Sequence, residues 1–254
     1  PKGESHVLLN LGEGLTNETG AMVRKVSDTE FEGMKLQGTF CYNPQAVFPI
    51  YFVMRISKKP LESGYWKKQR AMTGVEAEWD ADNGKYKLYK KYQKELSGDD
   101  IGVWMNFDTE ANEQVEVQMA VSFVSIANAR ENLNAEQHGK NFDDIYNAAR
   151  KQWNDDLSRI LVEGGTKTER TIFYTALYHT LIHPNILQDV NGQYPAMESN
   201  DIRTIKEGNR YTVFSLWDTY RNVHQLLTLV YPERQRDMIR TMIDMYDEHG
   251  WMPK

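Results

Sequence analysis

The first half of the chain alternates apolar and polar residues with a period of two. Residues 101–107 and 115–123 follow this pattern, which is typical of strands with one wet face. Residues 50–56 are apolar almost throughout, as in a strand that is covered on both sides. Asn83 and Gly84 form a pair that favours a tight hairpin turn. Residues 1–125 are therefore predicted to form an antiparallel β-sandwich.

After Ser125 the apolar residues recur with a helical period. Residues 142–162 carry one apolar stripe, and Asn141 is the expected N-cap. Thr166 and Glu169 fit a capping box that opens a second helix, which Pro184 ends. The predicted stripe of the first helix consists of Phe142, Ile145, Tyr146, Ala149, Trp153, Leu157, Ile160 and Leu161.

Residues 185–214 show no helical stripe, only a predicted hairpin at Asn191-Gly192. Helical periodicity returns at residues 216–230, with Tyr220 expected on the inward face, and a further helix is predicted from Pro232 to Gly250. The pattern predicts an α+β chain with several domains. Their expected limits are a β domain at 1–125, a helical linker at 126–165 and a helical domain at 166–254.

Composition excludes several classes of protein. The 254 residues carry a net charge of −6, which repels polyphosphate, so nucleic acid is not an expected partner. No apolar run reaches the roughly 18 residues needed to cross a bilayer. The single cysteine, Cys41, excludes an internal disulfide framework. The chain starts without Met or a signal peptide and stops just after a helix, so we expect a piece of a longer protein.

The densest group of residues suited to sugar recognition lies at 211–221. A sugar needs an aromatic face for its C–H groups and a carboxylate that accepts from its hydroxyls. Trp217 and Asp218 supply both, and Asp218 is expected near the start of a helix, where an anion is stabilised. The alternative is that Trp217 packs in the core and Asp218 caps the helix, which periodicity alone favours.

Other candidate sites have weaker support. Asp80, Asp82 and Gly84 resemble the start of a calcium loop, but its later ligands are missing, so a hairpin turn is favoured. His179 and His183 have the spacing of helical zinc ligands, yet the other ligands of such a site are absent. The sequence contains no nucleophile elbow, P-loop or dinucleotide fingerprint.

Residues 211–221 read YTVFSLWDTYR, and together with PER at 232–234 and GWMPK at 250–254 they closely resemble glycoside hydrolase family 92. Residues 12–14, 173–180 and 183–185 look like further pieces of the same family, so the resemblance runs along essentially the whole chain. Members of that family are calcium-dependent exo-acting α-mannosidases.

The resemblance implies a fold and a reaction. It implies an N-terminal β-sandwich, a helical linker and an (α/α)6 toroid, of which this chain would hold only the first helices. It implies hydrolysis with inversion, by an acid and a base carboxylate on opposite sides of the bond, and Ca²⁺ as the cofactor. Because the family's acid, base and main calcium ligands lie farther along the toroid, we expect them beyond Lys254 and assign no catalytic or metal residue here.

The resemblance also implies the substrate-binding residues. Asp218, with Trp217 beside it, is expected to recognise hydroxyls of the terminal mannose, and Ser215, Tyr211 and Arg221 are supporting candidates. The expected protein is a fragment of an inverting exo-α-mannosidase that acts on mannose-containing glycans, with α-1,2 linkages as the first choice. It is expected to be periplasmic or secreted by a bacterium.

Two other functions stay open. The chain could serve as a carbohydrate-binding module without hydrolysis, or belong to a different (α/α)6 glycosidase or phosphorylase. Since a truncated toroid leaves apolar helix faces without partners, an oligomer that covers those faces is also expected.

Overall fold

The computed structural model describes residues 2–12, 18–38, 47–67, 87–89, 95–197, 199, 201–212 and 214–252. The chain divides into two compact units, residues 1–138 and residues 139–254. The predicted turn at Asn83-Gly84 and the cysteine Cys41 lie outside the described residues. The division into a domain, a linker and a second domain at the limits given above stays a prediction.

The strands of the first unit form two antiparallel sheets. One sheet has the order β1 (Gly3–Asn10), β8 (Ile101–Thr109), β5 (Glu62–Lys67) and β6 (Lys87–Tyr89). The other has the order β7 (Glu95–Gly98), β2 (Glu18–Lys25), β3 (Glu30–Gly38), β4 (Val47–Ile56) and β9 (Val117–Ser122). The predicted antiparallel arrangement is therefore confirmed.

The core of the first unit lies between these sheets. In β8, the alternate residues Ile101, Val103, Met105 and Phe107 are at most 1% exposed. They form one cluster with apolar side chains of the other sheet, namely Val23, Phe31, Phe52 and Met54. The period of two predicted for residues 101–107 thus corresponds to the inward face of a strand.

Strand β9 buries the face that the sequence predicted to be wet. Ala120 and Ser122 are at most 7% exposed, whereas Val117, Met119 and Val121 are 38–49% exposed. Alternation along the strand is present, but the burial of its faces is the reverse of the prediction. The pattern could not show which neighbouring element covers each face.

The element that covers this face of β9 is the first helix, α1 (Ile126–Gln137). Ala129 and Leu133 of α1 are fully buried against Val53 and Ala120 of the sheet. Asn132 Nδ2 of α1 also donates to the carbonyl oxygen of Val121 at 2.9 Å. Small side chains on β9 therefore allow close packing of the helix.

The second unit contains α2 (Phe142–Leu157), α3 (Lys167–Leu181), β10 (Gln193–Pro195), β11 (Ile202–Thr204), α4 (Leu216–Thr219), α5 (Val223–Val230) and α6 (Pro232–His249). Its core joins residues from α3, α5 and α6 with two loop tyrosines. The buried members are Leu177, Tyr211, Leu227, Tyr231 and Met238.

The predicted helix ends are confirmed where they depend on local chemistry. Asn141 and Thr166 both form complete capping boxes, each with the third residue of its helix. Pro232 occupies the first turn of α6, and Gly250 ends that helix in the left-handed conformation with a φ of 84°.

Helix α2 ends at Leu157, five residues before the predicted end, and it has no buried residue. The hydroxyl of Tyr174 accepts from the Val162 nitrogen at 3.3 Å and donates to the Ile160 carbonyl at 3.1 Å. These bonds hold residues 160–162 outside the helix. The predicted apolar stripe is thus mostly exposed in this chain, with Phe142 69% exposed.

The hairpin predicted at Asn191-Gly192 is displaced along the chain. Gly192 donates to the Asp189 carbonyl at 2.8 Å, so these residues do form a turn. The paired strands, however, are β10 and β11, and just beyond their ends the Ala196 nitrogen donates to the Asp201 carbonyl at 2.9 Å. The turn therefore precedes the hairpin instead of closing it.

The helix predicted at residues 216–230 is broken into α4 and α5. At the break, the side-chain amide of Gln225 donates to the Tyr220 carbonyl at 3.0 Å. A side-chain donor thus satisfies a carbonyl that a continuous helix would have bonded to a backbone nitrogen. The break separates a four-residue helix, which carries Trp217 and Asp218, from the longer α5.

Candidate functional site

The segment that leads into α4 is attached to the core of the second unit. Tyr211 forms a β-bridge with Ile186, and its nitrogen donates to Thr241 Oγ1 at 3.1 Å. The Tyr211 ring is 5% exposed. Burial raises the pKa of its phenol, an effect that the positive charge of Arg234 opposes. Tyr211 therefore lies in the core and not on the surface that carries Trp217 and Asp218.

Ser215 precedes α4 and holds the carboxylate of Asp218. The Ser215 hydroxyl donates to Asp218 Oδ2 at 2.5 Å, and the Asp218 nitrogen donates to the Ser215 carbonyl at 3.1 Å. The Ser215 side chain makes no capping bond to a backbone nitrogen of α4. The carboxylate is thus oriented by one hydroxyl and does not itself cap the helix.

The second oxygen of Asp218 is open. Within the described residues, Oδ1 has no hydrogen-bond partner, and the residue is exposed. An ionised carboxylate can accept about four hydrogen bonds, and this one uses a single protein donor. Most of its accepting capacity therefore faces water or a ligand.

Trp217 is 80% exposed in this chain. The interpretation that it packs in the core is therefore wrong for the described structure. Its indole lies on the residue next to Asp218, in the same single-turn helix. An aromatic face and an open carboxylate are thus presented together on one short surface segment.

Arg221 and Tyr220 extend the same surface. Arg221 Nε donates to the Tyr220 hydroxyl at 2.9 Å, and the guanidinium carbon lies 5.3 Å from the centre of the Tyr220 ring. Both residues are exposed, Tyr220 by 51%. The sequence pattern predicted Tyr220 to face inward. The break after α4 places it outside, and no local signal marks that break.

We define the α4 surface as Ser215, Trp217, Asp218, Tyr220 and Arg221. It brings together four of the five predicted substrate-binding residues, adds Tyr220 and leaves Tyr211 out. Its chemistry consists of aromatic faces, a carboxylate and a guanidinium, which can bind a polyhydroxylated ring by stacking and hydrogen bonds.

A second group of polar residues lies beside the β10–β11 hairpin. Arg210 Nη2 donates to Glu248 Oε2 at 2.8 Å, and the two side chains are 2% and 1% exposed. The Tyr194 hydroxyl donates to Glu248 Oε1 at 3.1 Å, and the Met197 nitrogen donates to Oε2 at 3.0 Å. This group fastens the hairpin to α6.

The described side chains include no cluster of the usual metal ligands. Among them, no three His, Cys, Asp or Glu residues lie close enough together to hold a metal ion. His179 and His183 therefore do not belong to such a group within the described residues. The structure also describes no helix that is long and apolar enough to span a membrane.

Several solved structures are similar to this chain. A family GH92 α-mannosidase from Bacteroides thetaiotaomicron is 27% identical, with a TM-score of 0.83 over 100% of this chain and 32% of its own. The same enzyme is also known in complex with mannoimidazole. A family GH92 inverting mannosidase from the same organism is 27% identical, with a TM-score of 0.80 over 98% of this chain and 31% of its own. This chain thus spans about a third of their length.

Two parts of the chain match models of known protein families. No curated protein matches the chain. Residues 1–122 match the N-terminal domain of glycosyl hydrolase family 92, and residues 128–254 match the catalytic domain of that family. The two matches cover both compact units, and the predicted resemblance is confirmed. The chain therefore belongs to glycosyl hydrolase family 92.

Proposed function

We propose that the protein to which this chain belongs is an exo-acting α-mannosidase, and that the α4 surface binds the terminal mannose. The observation that carries the proposal is the exposed indole of Trp217 beside Asp218, whose Oδ1 has no partner among the described residues. Membership of a glycosyl hydrolase family supports hydrolysis. The similarity to an α-mannosidase that binds mannoimidazole supports a mannose-configured substrate.

The α4 surface provides the two interactions that a pyranose needs. The indole of Trp217 can cover the C–H face of the ring, while Asp218 accepts from hydroxyls that lose water on binding. The Ser215 hydroxyl binds Oδ2 and fixes the orientation of the carboxylate. Asp218 therefore loses little conformational entropy when Oδ1 accepts from a ligand. Arg221 donates from the edge of the surface, where Tyr220 limits its movement.

Tyr211 is not retained as a substrate contact. Its ring is buried in the core, so no saccharide can reach it while the unit stays folded. Its role in the proposal is to hold the chain that leads to α4, through its bridge to Ile186 and its bond to Thr241.

The finer features of the reaction form part of the same proposal. Hydrolysis is proposed to invert the anomeric configuration, with an acid and a base carboxylate roughly 6.5–9.5 Å apart so that a water fits between them. No residue of this chain is assigned to either role. The linkage is proposed to be α-1,2 and the location periplasmic or extracellular. Calcium, which would contact sugar hydroxyls, is proposed as the cofactor, and among the described residues no three carboxylate or histidine side chains lie close enough together to hold it.

The test is Asp218→Ala in the full-length protein. Because a hydrogen bond to a charged group is worth about 1.5 to 3 kcal/mol, we expect kcat/KM on an aryl α-mannoside to fall about tenfold or more. Asp143→Ala is the matched control, since Asp143 is also an exposed carboxylate in the first turn of a helix. Near-normal turnover of a folded Asp218→Ala variant would contradict the proposal.

The products distinguish the remaining alternatives. Mannose released as the β-anomer, followed by NMR, supports inversion. Mannose 1-phosphate formed only in the presence of phosphate would indicate a phosphorylase. Binding of mannosides by the full-length protein without any cleavage would indicate a binding module.

A further inference from the structure

A row of polar side chains connects α6 to the start of α4. The Thr219 hydroxyl donates to the Ser215 carbonyl at 3.1 Å, and Thr219 Oγ1 lies 2.9 Å from His224 Nε2. On the other side of the imidazole ring, Nδ1 lies 3.1 Å from Oε1 of Gln235. The four residues belong to different elements, with Gln235 on α6, His224 on α5, Thr219 at the end of α4 and Ser215 just before it.

The direction of these bonds follows from the atoms available. Gln235 Oε1 and the Ser215 carbonyl can only accept, so His224 Nδ1 donates to Gln235 and the Thr219 hydroxyl donates to Ser215. With its hydrogen on Nδ1, the imidazole accepts at Nε2, so the single hydroxyl hydrogen of Thr219 is shared between Nε2 and the Ser215 carbonyl. With Gln235 at Nδ1, both ring nitrogens are bonded and the imidazole has one orientation.

The two ends of this row differ in rigidity. Gln235 is 6% exposed and lies near the start of the eighteen-residue helix α6. Helix α4 has only four residues and none of them is buried. A single helical turn is not stable by itself, so its position depends on contacts with neighbouring elements.

Ser215 is the residue at which this row meets the α4 surface. Its carbonyl accepts from Thr219, and its own hydroxyl donates to Asp218. A shift of Ser215 would therefore move the carboxylate that is proposed to bind mannose. Displacement of a binding group by about 1 Å can lower a reaction rate as much as a hundredfold.

We infer that His224 and Gln235 are positioning residues for the α4 surface. Neither residue touches the substrate in this assignment. They hold α4 against α6 through Thr219, so that Trp217 and Asp218 meet the sugar ring in one fixed geometry. The inference rests on the proposed function, because the geometry matters to catalysis only if the α4 surface binds substrate.

The experiment compares Gln235→Leu, Gln235→Glu, His224→Phe and Thr219→Val in the full-length protein. The Leu, Phe and Val variants remove a bond but keep most of the side-chain volume. We expect each of them to lower kcat/KM on an aryl α-mannoside about fivefold, the loss that corresponds to one neutral hydrogen bond. His138→Phe is the control, because His138 is an exposed residue of the first unit; it should leave the activity unchanged.

Gln235→Glu separates positioning from general stability. A buried carboxylate harms the fold at least as much as leucine does, yet it can still accept from His224 Nδ1. We therefore expect Gln235→Glu to keep activity within about twofold of the wild type while its Tm is no higher than that of Gln235→Leu. Loss of activity that simply follows Tm across the variants would show a structural role and overturn the inference.

Failure of this inference can be told from failure of the proposed function. If Asp218→Ala loses activity while Gln235→Leu, His224→Phe and Thr219→Val stay within twofold of the wild type, the positioning role is wrong and the binding role stands. If Asp218→Ala itself is normal, the α4 surface does not bind substrate. Thr219→Val lies at the end of a surface helix, so it tests the row even if a buried variant fails to fold.

Discussion

The second unit contains two carboxylates whose surroundings are opposite. Glu248 is 1% exposed on its side chain, and both of its oxygens accept hydrogen bonds, from Tyr194, Met197 and Arg210. Asp218 is exposed, and within the described residues it accepts only from Ser215. The comparison shows that a saturated, buried carboxylate joins elements of the fold, whereas an open one is available for a ligand.

Glu248→Ala gives the largest expected effect in this comparison. Its removal leaves the buried guanidinium of Arg210 without its main partner, which costs about 3 to 5 kcal/mol of unfolding free energy. Denaturation of the full-length protein measures this loss. Glu207→Ala is the control, since the Glu207 carboxylate is 69% exposed in its pair with Arg240 and should contribute less than about 1 kcal/mol. If the two variants lost the same unfolding free energy, the structural role assigned to the buried carboxylate of Glu248 would be wrong.

Trp217→Ala tests the exposed surface that carries Asp218. Because the indole is 80% exposed in this chain, its removal should change the unfolding free energy of the 254-residue chain by less than about 0.5 kcal/mol. We expect kcat/KM on an aryl α-mannoside to fall about tenfold, since stacking on the sugar is lost. Leu229→Ala removes another strongly exposed apolar side chain of this unit and should leave activity intact. Full activity of Trp217→Ala would contradict the stacking role.

Replacement of Glu169 has the smallest expected effect on stability, and that effect should depend on pH. The Thr166 nitrogen and hydroxyl both donate to its carboxylate, which lowers the pKa of Glu169 below its usual value of 4.5. Because the folded pKa is depressed, the stabilisation is present above pH 4.5 and is lost as pH falls through the folded pKa.

Glu169→Gln keeps an acceptor but does not titrate. We expect the Tm of the wild type to exceed that of this variant slightly at pH 7, and the difference to shrink at pH 3. Asp143→Asn is the control, since Asp143 takes no part in the capping box of α2. A difference that is constant over this pH range would contradict the lowered pKa.

The capping boxes show what could be predicted from neighbouring residues. Asn141 and Thr166 begin helices as expected, because the bonds that satisfy the first backbone nitrogens come from within four residues. The same holds for Gly250, whose lack of a side chain permits the left-handed end of α6.

The α4 surface shows what neighbouring residues could not predict. The residue types of Trp217 and Asp218 pointed to sugar binding, but the exposure of the indole depends on the break between α4 and α5. Tyr211 fits the same chemistry and lies in the core, because its bridge to Ile186 turns it inward. The row of hydrogen bonds through His224 and Gln235 joins three helices, and the apolar periodicity of the sequence does not reveal it.

The sequence by itself determined the period of each segment, most helix ends, the antiparallel sandwich and the family. These features depend on interactions between residues that are close in the chain, or on motifs that keep their spacing. Tertiary structure alone decided which face of β9 is covered, where the helix at 216–230 breaks and which candidate side chains reach the surface. Those outcomes depend on contacts between elements that are distant in sequence. The periodicity of one segment does not show which distant element will pack against it.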